Sequence, residues 1–287
     1  MSYRLHAYNS NSVIKNLVLE GTSYTGAIVT SAATETLSNI LFTRFKIRDD
    51  IAAGDRSRWA FNVSNLVECV FENGVVEDIY WEHNHYPHSP RGNLTYRNCI
   101  GRRAGAQDIQ IVYRDIESDT PFGWQQTGLH LIEGGMTDHC GLPRGSGRAS
   151  YAISAFGRQE GDGSTPRKAW DCPLRIKDRN IVHDQIGQPA GWLLNGAILC
   201  EWRPRFELLG GEVNYDGTAD QNLVHSYMNE EVIVDGTKLH GQRYFNIDGV
   251  KAGRTKLIDI QGVTGDVLLR IDGAKIGPMS QGYRWSA

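Results

Sequence analysis

The middle of this sequence holds residues able to work on sugars: Tyr80 and Glu82, Gln110 and Arg114, and His130 and Glu133, each within or beside a short alternating apolar stretch. Hydrolysis of a glycosidic bond needs two carboxyl groups about 5 to 9.5 Å apart, one as acid and the other as nucleophile or base. Glu82 is the first choice for one of them, and Glu133, Asp119 or Asp138 would supply the other. β-Elimination on a uronic acid instead needs a cation to neutralise the sugar carboxylate and a base to remove the C5 proton. Arg114 with His130 or His83 meets that need. The plainer reading of Glu82 and Arg114 is an ion pair between neighbouring strands.

Other groups carry weaker signals. In Glu82-His83-Asn84-His85-Tyr86-Pro87-His88 an extended strand would put His83 and His85 on one face, but no further ligand is near, so a donor-rich polar loop is expected and no metal. Scattered aspartates could hold calcium, yet nothing like an EF-hand run is present and no cofactor is expected. Ser150 follows Gly-Ser-Gly-Arg-Ala but lacks the G-x-S-x-G elbow of a serine hydrolase. Trp124, Trp170, Trp192 and Trp202 could stack on pyranose rings or pin loops. The five cysteines, widely spaced and without a C-x-x-C pair, read as buried free thiols.

The elements that would position these groups come from a repeat. Asparagine followed by Leu or Ile opens apolar stretches at Asn16, Asn39, Asn65 and Asn93, with steps of 23, 26 and 28 residues, and returns at Asn180 and Asn222. Toward the C-terminus Asp-Gly or Gln-Gly takes over at Asp235, Asp248, Gln261 and Asp272. Each unit reads as short alternating strands such as Leu17-Val18-Leu19, Phe45-Lys46-Ile47 and Ile109-Gln110-Ile111, broken by Asn, Gly and Asp turns; helical spacing is nearly absent. The period matches one coil of a right-handed parallel β-helix, an all-β solenoid with coils about 4.8 Å apart. About ten to twelve coils are expected, with the asparagines stacked at one turn. A single domain over 1–287 follows, with a lead-in at 1–12, loop-rich coils about 84–196 and regular coils about 197–277. Aligning Asp78–Glu82, Asp108–Val112 and Gly128–Ile132 places Ile79, Trp81, Ile109, Ile111, Leu129 and Leu131 inside. Tyr80, Glu82, Gln110, Arg114 and His130 then share one outer face, with Trp124 and Trp170 on inserted loops.

Residues 64–114, with SNLVECVFENGVVEDIYWEHN and GNLTYRNCIGRRAGAQDIQIVYR, resemble the pectate-lyase-like right-handed β-helix proteins, in particular those of phage tailspikes and environmental bacteria. The resemblance implies a virion protein, a homotrimer beside other virion proteins, that binds and could cleave bacterial polysaccharide. A stand-alone polysaccharide lyase or glycoside hydrolase and a non-catalytic decoration protein are the alternatives. A formal charge of −3 gives no footing for nucleic acid. No apolar run could span a bilayer, and MSYRLHAYNS lacks the apolar stretch of a secretory signal. Synthesis in the cytoplasm and release by lysis to the virion or cell exterior fits both features. No amphipathic helix precedes Val13 to plug the end of the stack, so a partner or self-assembly is expected to cover it.

Overall fold

The computed structural model describes residues 5–7, 9–21, 28–30, 37–49, 59–64, 66–79, 82–88, 90–112, 128–140, 151–157, 170–183, 196–215, 222–241, 258–271, 274–275 and 285–286. Among them are 28 strands and no helix. The chain visits three sheets in rotation, and each strand pairs with the third one after it. In chain order we call these the first, second and third sheets, with ten, ten and eight strands. Pairing is parallel except at the C-terminal end, where Trp285–Ser286 and Ala274–Lys275 close the first and second sheets antiparallel. Among the described residues, ten strands less one closing strand leave nine parallel strands in the first sheet and nine in the second. This strand order fits a parallel β-solenoid.

Strands are short because each rung turns three corners, and side chains alternate in and out. Inward residues stack rung upon rung. In the second sheet Phe42, Phe71 and Tyr96 form a continuous pile, with centroids 5.0 and 4.9 Å apart and ring planes within 4° and 7° of parallel. That spacing is the rung repeat itself, so backbone pairing and ring stacking reinforce each other. Cys69 sits in the neighbouring inward column between Ile40 and Leu94. All five cysteines are buried and unbridged.

The corner between the second and third sheets is the most regular feature. Asn16, Arg44, Asn73, Asn98, Gly134, Asp178, Gly210 and Gly236 occupy it on successive rungs, all left-handed with φ between 50° and 69°. Each donates its backbone N–H to the residue just before the same corner one rung on, as Asn73 does to Arg97 and Gly210 to Asp235. Asparagine, aspartate and glycine tolerate this conformation best. The marker asparagines do not all belong here. Asn16 does, whereas Asn39 and Asn93 stand at the start of second-sheet strands and Asn180 at the start of a third-sheet strand; Asn65 lies outside the described residues. Asn39 still stacks on an asparagine, donating to Asn11 at 2.8 Å.

The next residue along the corner points inward, giving the column Leu17, Phe45, Gly74, Cys99, Gly135, Arg179 and Gly211. Cys99 therefore stacks here rather than on Cys69. Arg179 is 2% exposed and reaches across the lumen to Asp108, 1% exposed, at 2.8 Å. Its guanidinium also donates to Thr137 Oγ1 and to the carbonyls of Cys99, Gly134 and Met136. Asp108 accepts from Thr137 and Asn84 as well. Room for the carboxylate comes from Gly101, where a Cβ would lie 1.6 Å from Asp108 Oδ1. Removing one member leaves the other charge buried and unpaired, a loss of about 3–5 kcal/mol. Asp108→Asn is expected to lower unfolding free energy by about that amount in urea, whereas Arg97→Ala in an exposed surface pair is expected to cost under about 1 kcal/mol.

Candidate functional site

The sequence-derived site is not assembled on one face. Tyr80, Arg114, Trp124 and Asp119 lie outside the described residues. Gln110 sits half-buried on the first sheet, whose strand Ile109–Ile111 pairs with His85 and with Ile153–Ala155. His130–Glu133 belongs to the second sheet, between Leu94–Arg97 and Leu174–Lys177. The two stretches are successive strands of one rung, not equivalent strands of neighbouring rungs. His130 is a correction: it points into the core at 0% exposure beside Ile132, while Leu131 is only half-buried. A one-residue shift of phase exchanges the faces of every side chain in a strand.

His130 is tolerated inside because partners await it. Nη1 of Arg203 lies 3.1 Å from His130 Nδ1, so that nitrogen carries the lone pair and the proton resides on Nε2, which lies 3.6 Å from Cys172 Sγ. Trp170, expected as a sugar platform, is instead 2% exposed; its Nε1–H donates to the Phe156 carbonyl at 2.6 Å, and Arg203 lies over its ring at 4.0 Å. Burial, with Arg203 adding to it, drives the His130 pKa well below the ordinary histidine range.

Glu133 faces outward on the second sheet in a ladder of alternating charge, with Lys177 Nζ at 3.0 Å and Arg97 Nε at 3.4 Å. The Lys177 hydrogen bond holds its carboxyl below the usual range. Asp138 pairs with Arg102 and His139 in the same manner on the third sheet. Glu82 is half-buried, 3.9 Å from His83 Nε2. His83 and His85 part company: His85 stacks inside on Phe61 at 4.9 Å, whereas His83 stacks on Tyr86 at 4.8 Å. Among the described residues no three His, Cys, Asp or Glu side chains converge as metal ligands.

A groove of about 600 Å³ does open on the outer face of the second sheet, lined by Pro173, Arg175, Pro204, Arg205, Glu207, Glu230, Glu231, Gly265 and Asp266. Pro173 and Pro204 stand just ahead of two strands, where a missing N–H disturbs no ladder bond. Arg175 and Glu207 are register partners and hydrogen-bond at 2.6 Å, which raises the Arg175 pKa further. Arg205 and Glu231 are partners on the adjacent rungs and also hydrogen-bond. Glu230 and Asp266 form no ion pair among the described residues. Glu207 and Glu231 lie one rung and two residues apart, about 8 Å at backbone level. The acids of this groove lie at positions that no local motif marks. No protein-family profile, characterised protein or solved structure matches this chain.

His85 supplies the clearest pH effect. Burial lowers its pKa from 6.5 to about 4, with Asp108 pulling it up and Arg179 pushing it down. The unfolded chain takes a proton near pH 6.5 that the folded chain refuses until about 4. Stability is therefore complete above about 6.5 and falls by roughly 3 kcal/mol as pH drops through that window. His85→Phe, which keeps the ring stack, is expected to reduce the slope of this part of a melting-temperature-against-pH curve, leaving the share that the buried His130 contributes.

Proposed function

We propose that this protein is a right-handed parallel β-helix of the virion-borne, tailspike-like kind that contacts bacterial surface polysaccharide through the groove on its second sheet. The hand is the one that parallel crossovers adopt almost without exception. The observation that carries the reading is the groove itself: charged donors and acceptors stand in rows fixed by the rung spacing, on the rigid face of the stack. Such rows suit a polymer of hydroxyl groups. Glu207 and Glu231 stand on neighbouring rungs of this face about 8 Å apart at backbone level, which makes them the pair of carboxyl groups to test as acid and base. Release by host lysis would put such a protein outside the cell without a secretory signal.

One observation favours a purely structural rod instead: both groove arginines are already paired. A panel of neutral and acidic bacterial polysaccharides separates the two, read by affinity electrophoresis, reducing-end release and absorbance at 235 nm. Binding of one glycan, weakened at least about tenfold by Arg205→Ala, is the expected result, about 1.4 kcal/mol. If cleavage occurs, Glu231→Gln abolishes product with binding kept, and Glu82→Gln leaves turnover unchanged. A protein that retains no glycan at all is the structural rod.

A further inference from the structure

The two ends of the stack are built differently. At the C-terminal end the antiparallel strands Ala274–Lys275 and Trp285–Ser286 close two of the three sheets. At the other end Leu5–Ala7, Val13–Lys15 and Val18–Glu20 are the first strands of the three sheets, each with a partner on one side only among the described residues. This first rung has the construction of an interior rung. Asn11, Asn16 and Gly21 take the left-handed corner conformation of later rungs. Leu5, Ile14, Leu17 and Leu19 pack against the core yet remain only partly buried, and Val13 and Val18 are each 62% exposed.

The hydrogen-bond polarity of the open edge follows from the bonds made to the second rung. Ser12 O accepts from Leu41 N, Asn16 N donates to Thr43 O, Leu17 O accepts from Lys46 N, and Gly21 N donates to Arg48 O. Parallel strands alternate the direction of their backbone groups. Ile14 and Leu19 therefore serve the second rung, and the N–H and C=O groups of Val13, Lys15, Val18 and Glu20 point away from the stack.

We infer that this end is an interface with a second copy of the chain, set end to end about a two-fold axis through the corner at Asn16-Leu17. Head-to-tail stacking does not fit, because at the far end the first and second sheets run two strands beyond the third among the described residues, whereas the first rung presents one strand of each. A two-fold reverses strand direction and brings Val13–Lys15 against the partner's Val18–Glu20, antiparallel. The register that opposes residues 13 and 20, 14 and 19, and 15 and 18 meets every requirement together. The outward-pointing backbone groups face each other as hydrogen-bonded pairs. Ile14 meets the partner subunit's Leu19, so inward residues stay inward and the two lumens join. Lys15 lies diagonal to the partner subunit's Glu20, about 7–8 Å apart and within reach of long side chains. Leu5–Ala7 pairs with its own copy, so all three open edges are covered in one contact, as an isologous dimer requires.

The test is the native mass in solution by size exclusion with light scattering, alongside far-ultraviolet circular dichroism. The unaltered chain is expected to run as a dimer at tens of micromolar. Val13→Pro and Val18→Pro each remove an N–H that the chain's own ladder does not use, and each is expected to give a monomer with an unchanged spectrum. Should a proline disturb folding, charge exchange decides: Lys15→Glu and Glu20→Lys each weaken the dimer, and the double variant restores it. A monomeric parent, or an oligomer indifferent to all four substitutions, overturns the inference.

Discussion

The left-handed corner between the second and third sheets sets everything downstream of it. On eight rungs one residue turns the chain with positive φ and hands its N–H to the next rung. That bond sets the axial step, and the turn sets phase, because the residue that follows must point into the lumen. Glycine holds the position on three of these rungs and asparagine on three, the residues for which a left-handed backbone costs least. Arg44 and Asp178 are the exceptions, held there by neighbours above and below whose corners are already formed. A stack of parallel rungs has no hairpin to set its register, so a recurring corner must do that work.

Once phase is set at the corner, even charged residues are carried inside. Arg179 follows Asp178 and so enters the lumen, where all five of its guanidinium donors find acceptors. Arg203 is also buried, but it stands against Trp170, His130 and Cys172 with no carboxylate, and its Nε and Nη2 have no hydrogen-bond partner among the described residues. Burial lowers its pKa, and the indole face and the neutral histidine partly offset the cost of the enclosed charge. The first cluster locks three successive rungs to one another by directional bonds; the second relies on a cation over a ring. Both tie together segments more than seventy residues apart, which apolar columns alone would leave free to slip.

The all-β architecture of stacked parallel sheets was legible in the amino-acid pattern because rungs of similar length repeat their turn residues at similar intervals. Corner assignment was not, since asparagine serves at the left-handed turn before the third sheet, as Asn16, Asn73 and Asn98 do, at a left-handed turn before the second sheet, as Asn39 does, and at the start of a strand, as Asn93 does. Strands of one rung and strands of successive rungs also look alike in sequence. Ile109–Ile111 and His130–Glu133 were therefore aligned when they lie on different sheets. His130 defeated the rule that polar residues point outward because its partner, Arg203, is 73 residues away. The groove carboxylates escaped for the same reason: Glu207 and Glu231 are neighbours only once the register is known.

The outer faces are unequal, and the proposed binding surface rests on that inequality. On the first sheet the outward positions Tyr86, Ser154, Leu199 and His225 are all under 9% exposed, while Gln110 is half-buried and Tyr227 is 38% exposed, so among the described residues most of this face is covered. On the third sheet Glu20, Lys46, Glu77, Arg102 and Asp138 neutralise one another along the rungs. The early rungs of the second sheet do the same through Glu72, Arg97, Glu133 and Lys177, beside the half-buried Leu41, Val70 and Leu131. Only in the later rungs of that sheet does the pattern break. There a groove opens beside Pro173 and Pro204, and Glu230 and Asp266 add carboxylates that form no ion pair among the described residues. A repeating scaffold satisfies its own surface wherever its repeat is regular, so a departure from the repeat that leaves charge uncompensated is where an external partner has something to bind.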